Sequence, residues 1–81
     1  MPKITREQAQ SLREIASSSI SSFIELGGTK DEEGNLKKQI QLLLKSGMTN
    51  QDLDAVFRTL ARDKDAPFLK QLQYARGILK V

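Results

Sequence analysis

The sequence predicts an all-α fold: a compact bundle of about four short helices, joined by Gly- and Pro-marked turns, in a single domain over residues 1–81. Three observations predict it. Apolar residues recur at three- and four-residue spacing in four separate stretches, while the period-2 alternation of a strand is missing throughout. Helix stop and start signals stand between those stretches. Finally, 81 residues with 38% hydrophobic and 28% charged content suit one globular domain near the lower size limit of a single core.

The sharpest of these signals lies between Leu36 and Leu60. Gly47 is placed to end one helix in a left-handed conformation. Thr49 is placed to cap the next, and Met48 can staple to Leu53. Two helices joined by so short a turn are the raw material of a bundle or of a helix-turn-helix.

The first helix is expected from Arg6 to Leu26. Thr5 with Glu7 and Gln8 starts it as a capping box, and Gly27-Gly28 stops it. Leu12, Ile15, Ala16, Ile20 and Phe23 form its core face. Ser17, Ser18 and Ser21 place small polar groups on the other side, which suits either a close-packed dimer or partner surface or an ordinary exposed face. The second helix starts between Lys30 and Asn35, with Thr29 and Glu32 as a second capping box and three acids in its first turn. Leu36, Ile40, Leu43 and Leu44 are its core stripe, and Leu42 points outward between Lys38 and Lys45. The third helix, about Asn50 to Arg62, buries Leu53, Val56, Phe57, Leu60 and Ala61, with Asp54 and Arg58 paired four apart. The fourth runs from Pro67 to about Leu79, with Asp65 just upstream. Phe68, Leu72, Ala75 and Leu79 make its core stripe. Tyr74, Ile78 and Val81 make a second one, so this helix is either central or turned toward a partner.

Charge is unevenly distributed. Residues 1–34 carry four bases and six acids, a net −2, and residues 35–81 carry nine bases and four acids, a net +5. From Ala66 onward Lys70, Arg76 and Lys80 face no acidic side chain in sequence. This asymmetry favours an anionic partner for the C-terminal part, and it also suits bases set near helix C-termini. Cysteine is absent, so no disulfide can staple the fold, and self-association into a homodimer is a natural route to stability. No run approaches the ~20 apolar residues that cross a bilayer, and MPKITREQAQ lacks the apolar region of a signal peptide. The expectation is a soluble, cytoplasmic protein.

An enzyme is not expected. Histidine, cysteine and tryptophan are absent, which removes the commonest general base, the thiolate nucleophile and most transition-metal ligands. Gly27-Gly28 lacks the strand and the GxxxxGK[ST] pattern of a phosphate loop. DEEGN at 31–35 lacks the alternating ligands of a calcium loop, and Asp63 and Asp65 suit a solvated turn. No cofactor or metal is implied.

Two functions remain. The leading one is a small helical interaction module, a regulator, adaptor or inhibitor, that docks on a protein partner through its C-terminal helix and basic face. Leu42, Tyr74, Ile78 and Val81 are the spare apolar groups for it, with Lys70 and Arg76 selecting an acidic rim. The alternative is nucleic-acid binding through a helix-turn-helix-like pair. There Asn50 and Gln51 would lead the recognition helix, while Lys38, Lys45, Arg58, Arg62, Lys70 and Lys80 would hold phosphates. Asp52 and Asp54 would oppose that approach, and Leu43 occupies the position where a small residue is wanted.

The stretch LLLKSGMTNQDLDAVFRTLARDKDAPFLKQLQYARGIL resembles the C-terminal helical domains of phage and plasmid replisome organisers, in its glycine-linked helix pair followed by a helix with an aromatic and a terminal Ile-Leu. It covers under half the chain through generic helix punctuation. Small basic bundles that confer bacteriocin immunity are similar in size and composition. Both resemblances imply a macromolecular partner and neither implies catalysis.

Overall fold

Four threonine or aspartate caps open four helices. In the computed structural model, which describes residues 4–80, these are α1 (Arg6–Glu25), α2 (Lys30–Lys45), α3 (Asn50–Leu60) and α4 (Ala66–Leu79), with no strand among the described residues. Thr5 and Gln8 close a reciprocal capping box at α1, and Thr49 and Asp52 close another at α3. At α2 only half of the expected box forms. Thr29 Oγ1 accepts from the Glu32 amide at 3.4 Å, while the Glu32 side chain lines the groove between α1 and α2. Asp65 caps α4 through the Phe68 amide, which moves the start to Ala66 and Pro67 to the second position, still within the turn that needs no amide donor.

Both glycine stops are Schellman motifs. The Gly28 and Gly27 amides donate back to the Phe23 and Ile24 carbonyls, and those of Met48 and Gly47 to Leu43 and Leu44. Helix α1 therefore ends one residue earlier than expected. Helix α3 also ends early, at Leu60, because the chain turns through Asp63 at φ +54°. Helix α2 runs through Gly34 without a break.

The core joins Ala16, Ile20 and Phe23 of α1, Leu36, Ile40 and Leu43 of α2, Leu53, Val56 and Phe57 of α3, Leu72 and Ala75 of α4, and Met48 from the α2–α3 turn. Burial of both Met48 and Leu53 fits the expected staple. Helix α1 is the central element, in contact with the other three, and α2 also packs on α4. Helices α2 and α3 flank α1 on opposite sides: Ser18, Ser19 and Ser22 line a groove with α2, whereas Gln10, Arg13 and Ser17 line one with α3. The Cα extents of 38 × 28 × 18 Å match two helix layers at the usual 8–10 Å spacing.

Three expectations need correction. Ile15 is 51% exposed, and Ile24 packs on the core in its place. Ile78 packs on the core beside Ala75 and so does not share the exposed surface of Tyr74. Helix α4 is not central, and α2 and α3 share only marginal contact, unlike the packed pair of a helix-turn-helix.

Candidate functional site

The sequence offers no histidine or cysteine, and among the described residues no group of three or more acidic side chains is arranged to hold a metal. No helix among them is long and apolar enough to cross a membrane. The remaining candidates are surfaces.

On the outer side of α4, Tyr74 and Lys70 stand four residues apart, one above the other. With Gln71 and the Gly27-Gly28 turn they line a shallow depression of about 260 Å³. Leu26, 59% exposed, sits at the head of that turn. The Tyr74 ring is 51% exposed, and its hydroxyl donates to the Glu33 carboxylate across the α2–α4 boundary. The phenol's pKa is therefore raised above the ordinary 10.0, chiefly because it donates to Glu33, then through partial desolvation and the carboxylate's charge. A raised phenol pKa means a contribution to stability that is full below about pH 10 and lost as pH climbs through the folded value. Tyr74→Phe should accordingly be less stable than wild type at pH 8, with the gap closing at higher pH. Thermal unfolding of the pair between about pH 8 and pH 11 measures this, since lysine titration is common to both. A gap that stays constant or widens would refute the Glu33 bond.

The other expected docking residues divide among different places. Leu42, 63% exposed, lies nine residues after Glu33, which at 100° per residue puts it on the opposite side of α2 from Tyr74. Arg76 is committed to Asp54 through Nη2 and lies over the Phe57 ring at 5.9 Å. Ile78 belongs to the core margin, and Val81 lies outside the described residues.

The residues expected for nucleic acid are brought together only in part. Asn50, Gln51 and Arg58 line one concave surface of about 510 Å³ with Arg76 from α4. Asp54 sits among them and binds both guanidiniums, accepting from Arg58 Nε at 3.0 Å. Its carboxylate cancels one of the two positive charges and repels a phosphate. Lys38 and Lys45 occupy the outer side of α2, Arg58 that of α3 and Arg62 the turn that follows it, across the width of the molecule. Lys70 is on α4, and Lys80 caps its C-terminus. The bases ring the bundle rather than sharing one face.

Sequence reasoning missed the exposure of Ile15 and Leu26 and the double role of Asp54. The Asp54–Arg58 pair is visible as an i,i+4 spacing, but nothing in the sequence signals a second arginine 22 residues away. Comparison of the chain with protein-family models, with curated proteins and with solved structures gives no match in any of the three.

Proposed function

We propose that this chain is a non-enzymatic helical interaction module that docks on a protein partner through the outer face of α4. The observation that carries it is the half-exposed Tyr74 ring standing over the depression between α4 and the Gly27-Gly28 turn, with Lys70 one turn away. A rigid aromatic anchor beside a basic group is the usual centre of a binding patch. The partner that fits is an amphipathic segment that places an apolar side chain against Tyr74 and an acidic one against Lys70. The excess of bases over acids after Gly34 favours the same acidic partner.

Selection of helical peptides from a displayed library against the immobilised protein tests this. The expected result is a set of acidic, amphipathic sequences whose affinity falls about thirtyfold with Tyr74→Ala, the usual loss on truncating an aromatic anchor. Lys70→Glu should reject the same sequences. Peptides that bind both variants as well as wild type would remove α4 as the docking face.

A second reading, nucleic-acid binding, draws on the convergence of Asn50, Gln51, Arg58 and Arg76 in one groove. Its mark is a gel shift with duplex or single-stranded nucleic acid that weakens steeply as salt rises and is lost with Arg58→Ala. The Asp54 carboxylate in the middle of that groove makes it the weaker of the two.

A further inference from the structure

A second face of the molecule lies on the far side of α1 and α2 from α4. The two helices are joined by a four-residue turn and run antiparallel, and their register is fixed where the Ser19 hydroxyl donates to Gln39. Each step back along α1 is then a step forward along α2. Ile15 and Leu42 stand within one residue of the same height, just outside the buried Ala16 and Leu43. They are two of the four large hydrophobic side chains exposed among the described residues, and the seam between them continues through uncharged Ser18, Ser22, Asn35 and Gln39.

The ridges on either side of this seam are charged, acidic on α1 and basic over the C-terminal half of α2. Glu7, Glu14 and Glu25 are spaced seven and eleven residues apart and fall within about 40° of one another on the outer ridge of α1, all exposed. On the outer ridge of α2, Lys38 and Lys45, seven apart and exposed, hold the C-terminal part, and Asp31 stands one heptad before Lys38.

We propose that this face binds a second copy of the chain, with the twofold axis running along the seam. Rotation about such an axis lays the α1 of each copy on the α2 of the other, so Glu14 of each copy meets Lys45 of the other. The Ser19–Gln39 register brings Glu14 within one residue of the height of the second copy's Lys45, and gathers Ile15 and Leu42 of both copies into one apolar cluster. The attractive pairs lie at the centre of the contact, beside Ile15 and Leu42, while Glu25 of each copy meets Asp31 of the other at its edge. Its extent, about 17 Å along the helices by about 19 Å across the pair, places it among the small, weak interfaces. It is separate from the α4 surface, and both can be occupied together.

Sedimentation equilibrium of the full chain from about 5 to 500 µM, the range in which so small an interface associates, gives the dissociation constant. A monomer–dimer equilibrium is expected within that range. Ile15→Ser and Leu42→Ser should each weaken it at least tenfold while leaving helix content and unfolding temperature near wild type, because both side chains are already exposed. Glu14→Lys alone and Lys45→Glu alone should each weaken it about tenfold, and the charge-swapped double variant should return to within about threefold of wild type. A chain that stays monomeric at the highest concentration overturns the proposal. So does a dimer indifferent to Ile15→Ser and Leu42→Ser, or one whose charge-swapped variant is no tighter than the single reversals.

Discussion

Phe57→Ala is expected to remove about half of the folding free energy of this protein. Phe57 is 2% exposed and projects from the shortest helix, α3, into the core that joins all four helices. Truncating a buried phenylalanine costs about 3–5 kcal/mol, from lost transfer energy and from the cavity left behind. A chain of this length, with no disulfide or metal, has about 4–12 kcal/mol in total. The ring is also the surface beneath the Arg76 guanidinium, so its loss loosens the Asp54–Arg76 bridge that ties α3 to α4. That coupling matters because α3 and α4 otherwise share only marginal contact. Urea denaturation followed by circular dichroism at 25 °C is the measurement, with Phe68→Ala as a control. Phe68 is only partly buried, so its truncation should cost about a third as much. A Phe57→Ala midpoint equal to that of Phe68→Ala would mean that α3 does not hold the core as described.

The helix ends were legible in the sequence because caps are local chemistry. Thr5, Thr49 and Asp65 satisfy amides three residues ahead, and Gly27 and Gly47 reverse the chain at their own positions, whatever the rest of the molecule does. Which flank of each helix would be covered was not legible. Relative to Ala16, Ile15 lies at −100° and Ile24 at +80° around α1, so the two are nearly equivalent on the wheel. Only the placement of neighbouring helices decides that Ile24 packs and Ile15 does not. The same holds for α4, where Ile78 was grouped with Tyr74 but reaches the core beside Ala75. The candidate site suffered most from this. Leu42 was correctly expected to point outward, yet it faces away from Tyr74, because the two residues are related only through the α2–α4 packing. With Leu42 and Tyr74 on opposite sides, the two proposed interfaces do not compete. A dimer formed along the α1–α2 seam would present two α4 faces and bind a bivalent partner with avidity.

Gly47→Ala is expected to be the costliest glycine substitution in the chain, for two independent reasons. The residue sits at φ +119°, well outside the left-handed helical basin that other residues tolerate, so any side chain adds backbone strain of about 1–3 kcal/mol. A Cβ there would also lie 2.6 Å from Ile4 Cγ2, because the segment entering α1 closes over the α2–α3 turn. The two contributions separate in a double variant. Ile4→Ala removes the clash but not the strain, so Gly47→Ala should cost less in the Ile4→Ala background than in wild type, by about 1 kcal/mol. Gly34→Ala is the contrast. Gly34 lies inside α2 with open space where its Cβ would go, so alanine there should stabilise by about 0.5–1 kcal/mol through helix propensity. Thermal unfolding of the four variants checks all of this at once. If Gly47→Ala cost the same with and without Ile4, the segment before α1 would not rest on the turn. In that case the Ile4 contact with the α2–α3 junction would be lost from the fold as described, and the expected cost at Gly47 would fall to backbone strain alone.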